Sequence, residues 1–337
     1  MAYEFDFWRS GESKHEGEEA LMSNPKRRII DFRNRPPLKP YKGLYDLKNN
    51  LLMKSHMIIK NRGANTSSPT IEMGVDKPGG MEQWWKEIDE AGIDAVVVNG
   101  RYVGGLPDFC MDNDTLAGLQ NKYKGRLFGL SQLNLDQDPD KTAQELERAI
   151  KKLGMAGANL EPGYQTVGLG KMGTFTDNPS FWPILEVLNA TGAFMLIQTG
   201  LFAGTDISFN NPQALDRLLF SFPNVQIVLA HGGYPYVQEV LGLCAKWPQL
   251  HVSADVYMFW PNGFLYAMNL ERIPDQLVFG SAFPFANMKV MVEDPLKLQE
   301  QFQVSDETME KYLYSNAARL LKTKEVGAQK AAARSAA

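Results

Sequence analysis

Ile93-Asp94-Ala95-Val96-Val97-Val98 is an almost unbroken apolar run of strand length, rich in β-branched residues. Such a run reads as a strand buried on both faces, the mark of a parallel sheet covered by helices. An amphipathic helix, 81–91, precedes it, and Trp84-Trp85 on that helix reads as packing rather than chemistry. Outward from here the pattern repeats. Helix 112–123 leads to strand 127–133, helix 138–153 to strand 156–161, and helix 179–191 to strand 193–198. Two of these helices open with Asp138-Pro139-Asp140 and Asn178-Pro179, which are cap and first-turn signals. Helix 211–221 leads to strand 226–231, helix 235–246 to strand 251–255, and a poorer helix, 263–270, to strand 276–281. A last helix spans 306–323, and a first strand lies upstream at 28–33. Eight such units predict an α/β fold, a closed (β/α)8 barrel rather than an open doubly wound sheet. No glycine-rich nucleotide fingerprint follows the first strand.

The flanks differ. Residues 1–25 are polar and mixed, and read as a mobile or partner-contacting arm. Residues 36–80 hold only a weakly helical piece near 44–59 and a polar stretch at 63–69. So long a connection predicts a lid or an interface insertion after the first strand. The tail, 324–337, is Ala/Lys-rich and frays.

The net charge of −4 gives no basis for general affinity for nucleic acid. The apolar runs are too short to span a bilayer. The N-terminus carries acid where a signal peptide needs a basic region, and Cys110 and Cys244 lack metal-ligand spacing, so a reducing cytoplasm is the expected location.

The first strand carries the chemistry. Ile29-Ile30-Asp31-Phe32-Arg33-Asn34-Arg35-Pro36-Pro37 sets two arginines two residues apart, on one face of a strand ended by a double proline. Buried guanidinium groups are costly unless an anion meets them. In a barrel the strand ends share one mouth. Here they bring Arg33, Arg35, Asn99, Arg101, Asn134, Glu161, Gln198, His231, Asp255 and Ala282 together. One reading is a charge-neutral plug in which Arg33, Arg35, Glu161 and Asp255 pair with each other. The sharper one is a polar pocket whose arginines receive a substrate carboxylate bidentately.

Leu229-Ala230-His231-Gly232-Gly233, Phe279-Gly280-Ser281-Ala282-Phe283-Pro284 and Tyr314-Ser315-Asn316-Ala317-Ala318-Arg319-Leu320 resemble the amidohydrolase-related (amidohydrolase 2) family, barrels similar to aminocarboxymuconate-semialdehyde decarboxylase. The resemblance runs from about 27 to 322. It implies a divalent metal, commonly zinc, held by two histidines of the first strand, one of the fifth, one of the sixth and an Asp of the eighth. In this chain those positions read Arg33, Arg35, Gln198, His231 and Ala282, and the fourth strand ends in Asn159-Leu160-Glu161. Arginine cannot be deprotonated to act as a ligand, and two arginines repel a dication. The expectation is therefore a divergent subgroup with no metal and no other cofactor, in which arginine supplies the positive centre.

His231 is the expected acid or base, with Asp255 orienting it or acting itself. Glu161 is either a further acid/base group or the partner of Arg33, the latter being favoured. Gln198 positions substrate, Tyr257 reaches the mouth or packs in the core, and Arg101 touches ligand or stays solvated. The cluster Tyr257-Met258-Phe259-Trp260-Pro261 walls a pocket or forms an interface. His15, His56 and His251 are weak signals. Three functions remain. The first is hydrolysis of a lactone, ester or amide of a small carboxylate. The second is non-oxidative decarboxylation or other C–C cleavage. The third is a non-catalytic subunit paired with a metal-bearing homologue, the chain being a homodimer or a hetero-oligomer with a related barrel.

Overall fold

The valine run forms β2, Ala95–Asn99, with every residue buried. In the computed structural model, residues 27–46, 68–162, 178, 181–201 and 207–322 are described. The expected arm, the tail and the middle of the 36–80 insertion lie outside them. The strands are β1 (Ile30–Asn34), β2, β3 (Leu127–Gln132), β4 (Gly157–Leu160), β5 (Phe194–Gln198), β6 (Gln226–Ala230) and β7 (Leu250–Ser253), paired in chain order and all parallel. An irregular eighth segment closes the ring. Val252 N donates to Gln276 O and Val278 N to Val252 O, both at 2.9 Å, and Phe32 N donates to Phe279 O at 2.9 Å. The fold is a TIM-type barrel.

Two apolar layers hold it. Ile30, Phe32, Ala95, Val97, Leu130, Phe194, Leu196 and Val228 fill the interior, with Tyr314, Ala317 and Leu320 of the last helical stretch in the same cluster. The alternate residues, such as Val96, Val98, Ile197 and Leu229, pack against the helices. The barrel is thus a filled core, and its chemistry is confined to the strand ends.

The longer helices among the described residues are α1 (Gly80–Glu90), α2 (Asn113–Lys122), α3 (Pro139–Lys151), α4 (Trp182–Thr191), α5 (Gln213–Ser221), α6 (Val237–Lys246) and α7 (Met288–Gln301). Asp112 and Asp138 cap α2 and α3 by accepting from backbone amides of the first turn. Four features depart from the sequence reading. The strand expected over 276–281 is the irregular segment that closes the ring, with a single isolated bridge, Val252 to Leu277, and no regular ladder. The helix expected over 263–270 is a single turn, Leu265–Met268. The last helix is divided by a π-helical turn at Lys311–Ser315. Helix α7 was not anticipated, because Pro295 sits in its middle. It forms nonetheless, since Asn287 caps it and Met288, Met291 and Leu298 are buried.

The described start of the long insertion rests on the barrel mouth. Tyr41 and Tyr45, in the short helical pieces Lys39–Tyr41 and Lys42–Tyr45, donate their hydroxyls to the carbonyls of Asn99 (2.5 Å) and Arg35 (2.7 Å).

Candidate active site

The site begins with an irregularity in β1. Its register with β2 runs Ile30↔Ala95 and Asp31↔Val96, then Asn34↔Val98, so β1 spends one residue more than its partner. This bulge changes which face each side chain meets. Phe32 belongs to the interior cluster, yet Arg33 also turns inward, to His231. Asp31 and Asn34 face away, where Asn34 takes a hydrogen bond from Trp84 Nε1 at 2.9 Å. Strict alternation from Ile30 and Phe32 would have sent both arginines into the helix layer.

Asp31 holds the bulge. Its carboxylate accepts from Arg33 N (3.0 Å), Asn34 Nδ2 (2.7 Å), Ser281 N (2.8 Å) and Ser281 Oγ (2.6 Å), tying β1 to the end of the eighth segment. The sequence reading gave Asp31 no role, although a carboxylate inside an apolar strand was the available signal. Gly280 makes room for the arginine: a Cβ there would lie 2.8 Å from Arg33 Cγ and 2.6 Å from Ser253 Oγ.

His231 and Asp255 stand at the ends of β6 and β7, and both have positive φ, as does Ala282. Left-handed backbone is uncommon for residues with a side chain, and such outliers gather at functional sites. His231 Nδ1 lies 2.9 and 3.1 Å from the two Asp255 oxygens, and His231 N donates to Oδ2 at 3.3 Å. Its Nε2 lies 2.9 Å from Arg33 Nη2. Arginine only donates, so Nε2 is the acceptor and the ring proton sits on Nδ1, directed at Asp255. Burial, reinforced by Arg33 and opposed by Asp255, lowers His231 to about 4. The imidazole is therefore neutral at pH 7.

Arg33 is fully buried, and its Nε and Nη1 have no hydrogen-bond partner among the described residues. Burial, with help from neighbouring Arg35, lowers it to about 9, which leaves it charged at neutral pH. Arg35 is also lowered, chiefly by burial, and it donates to Phe283 O at 3.3 Å.

A second network occupies β2, β4 and β5. Arg101 Nε donates to Glu161 Oε2 at 3.0 Å, and Arg101 Nη1 to Pro40 O at 3.1 Å. Asn159 Nδ2 bonds Gly100 O (2.8 Å) and Glu161 Oε1 (3.3 Å), and Gln198 Nε2 bonds Asn159 Oδ1 (2.7 Å). This corrects two expectations. Glu161 is paired with Arg101 rather than with Arg33, and Arg101 is buried rather than solvated, because residues 39–45 cover the β2 end. Among the described residues, the buried arginines Arg33, Arg35 and Arg101 thus stand near the buried carboxylates of Glu161, Asp255 and Asp31, and only Glu161 is directly ion-paired with one of them. Tyr257 is buried, its ring 5.3 Å from that of His231 and stacked among Tyr234 and Trp260. These rings form an apolar wall beside the imidazole. His251 lies elsewhere, at the N-terminal half of β7, bonded to Gln226.

These residues do not fit a divalent metal. The Nε2 lone pair of His231 is taken by an arginine, two guanidinium groups stand where the first-strand ligands would be, and Ala282 has nothing to donate. Among the described residues no three His, Cys, Asp or Glu side chains come together as a metal-binding group. No helix among them is long and apolar enough to cross a membrane.

Comparison with known proteins agrees with the architecture. The sequence profile of the amidohydrolase (amidohydrolase 2) family matches residues 87–323. The γ-resorcylate decarboxylase of Polaromonas sp. (strain JS666) is 23% identical over 284 residues, covering 70% of this chain and 85% of that protein. An uncharacterised TIM-barrel protein from Bordetella bronchiseptica superposes with a TM-score of 0.73 at 27% identity, covering 88% of this chain and 98% of the other. A dihydroxybenzoic acid decarboxylase from Polaromonas sp. JS666, solved with bound manganese and 2-nitroresorcinol, gives a TM-score of 0.62 at 18% identity, covering 88% and 97%. With its barrel closed and more than half its length matched by the profile, the chain belongs to the amidohydrolase family.

Proposed function

We propose that this is a metal-independent member of the family that binds a small carboxylate on Arg33 and Arg35 and hydrolyses a lactone, ester or amide bond of it. The observation that carries this reading is Arg33: a fully buried cation with two nitrogens that have no partner among the described residues, donating its remaining one to a neutral histidine. The unspent donors of a charged guanidinium suit one carboxylate. As the carboxylate engages Arg33, Nη2 is drawn from His231 and the Nε2 lone pair is released. His231 then takes a proton from water while Asp255 steadies the imidazolium, as in other His–Asp pairs. The water oxygen bonds to the carbonyl carbon, and the oxyanion is stabilised by the neighbouring guanidinium groups. The C–O or C–N bond breaks, and the leaving oxygen or nitrogen takes the proton back from His231.

Decarboxylation is the second reading, favoured by the names of the relatives. It needs a group that protonates carbon. His231 carries its proton on the side facing Asp255 and offers a lone pair on the other, which suits a base better than an acid. The test is direct. Calorimetry with small carboxylates, run with and without chelator, is expected to give chelator-insensitive binding that Arg33→Ala abolishes. Turnover is then followed by acid release from lactones and esters and by CO2 release from carboxylates. Stoichiometric metal in active protein, or CO2 release without hydrolysis, would sink the hydrolase reading.

A further inference from the structure

Four successive strands, β2 to β5, each carry a carboxamide on the inward face near the C-terminal end. Asn99 follows Ala95 and Val97, Gln132 follows Leu130, and Gln198 follows Phe194 and Leu196, all of these preceding residues being interior. Asn159 alternates with the outward-facing Ala158 and Leu160. Asn159 and Gln198 are bonded to each other. Asn99 is different. It is 2% exposed, and both its side-chain nitrogen and its side-chain oxygen lack a partner among the described residues; Gln132 Oε1 is likewise unpartnered. A buried primary amide with neither function satisfied is a costly thing to keep in a core. A leucine would fill the same place without that penalty.

The backbone gives Asn99 no escape. Tyr41 bonds its carbonyl, and a Cβ on the next residue, Gly100, would lie 2.4 Å from Leu130 O and 2.5 Å from Gln132 N. The chain leaving β2 is pressed against β3 there. The pairing of Asn34 with Val98 sets Asn99 beside Arg35 at the rim.

We infer that Asn99, with the neighbouring carboxamides, forms a neutral subsite next to the arginines that reads a hydroxyl on the uncharged end of the substrate. This rests on the carboxylate reading of Arg33 and Arg35. An amide offers both donors and an acceptor, and a hydroxyl answers both. A second carboxylate answers only the donors, and the nearest further cation, Arg101, is already bonded to Glu161. An ammonium answers only the acceptor. The preferred ligand class is therefore the hydroxylated monocarboxylate, not the dicarboxylate and not the amino acid.

The experiment is calorimetry of the intact protein with matched probes: butyrate, 4-hydroxybutyrate and succinate, and benzoate, 3-hydroxybenzoate and isophthalate. In at least one series the hydroxylated acid is expected to bind ten-fold or more tighter than its parent, and the dicarboxylate no tighter. Asn99→Leu and Asn99→Ala are expected to erase that preference while leaving parent-acid affinity within about two-fold, and Asn99→Leu to raise the melting temperature. Acids that bind wild type with no hydroxyl preference, or a preference that survives both substitutions, overturn the Asn99 inference alone. A wild-type protein that binds none of the six overturns the carboxylate reading as well.

Discussion

The two halves of the mouth use the same kinds of residue to opposite ends. On β2, β4 and β5, Arg101, Glu161, Asn159 and Gln198 form a continuous bonded chain that ends on backbone carbonyls. On β1, β6 and β7, Arg33, His231 and Asp255 form a line whose first member keeps two nitrogens without a partner among the described residues and whose other two have left-handed backbone. The first half is a structural ion pair with supporting amides. The second is strained and incompletely satisfied, as expected where a ligand completes the arrangement. Burial of charge therefore does not mark a site; unspent hydrogen-bonding capacity does.

Substitutions should separate the halves. The largest effect is expected for His231→Gln, which removes the base: hydrolytic turnover should fall by about 10²–10⁴-fold with carboxylate affinity retained. Loss of affinity with unchanged turnover would mean that the line only binds. Glu161→Gln should act on stability instead. It leaves Arg101 buried without its counter-charge, and denaturant unfolding should register a loss of about 3–5 kcal/mol. A near-neutral result would remove the distinction between the halves.

Acid should weaken the second half next. The folded pKa of His231 is lowered to about 4 from an ordinary 6.5, so the unfolded chain binds the proton first. Stability is fully present above about 6.5, falls as pH drops through that window, and levels off below about 4. The loss is on the order of 3 kcal/mol for this group. Buried His251, lowered to about 3, adds in the same direction. The His231 share should vanish in His231→Gln when melting is followed against pH. The smallest effect is expected for Tyr45→Phe, which removes one hydroxyl from the Arg35 carbonyl and should cost about 1 kcal/mol. A much larger loss of carboxylate affinity in that variant would mean that residues 39–45 shape the site as well as cover it.

Most of the barrel was legible in the chain. Runs such as 93–98 cannot alternate polar and apolar residues when helices cover one face and the interior fills the other, so each strand announced itself. Helix α7 was hidden because local propensity argues against Pro295, while burial of Met288, Met291 and Leu298 outweighs it. The strand ends were legible as a polar set, and the exchange of family ligand positions for Arg33, Arg35, Gln198 and Ala282 was readable from motif alignment.

What the sequence by itself determined is the barrel and the identity of the residues that stand at the family's ligand positions. These follow from periodicity and residue chemistry, which are local properties. Only the tertiary structure decided who pairs with whom: Glu161 with Arg101, Arg33 with His231, and Asn99 with nothing among the described residues. A hydrogen bond depends on a few tenths of an ångström between residues that can lie some two hundred positions apart. Here that distance is set by a one-residue bulge in β1, pinned by Asp31, which no sequence period encodes.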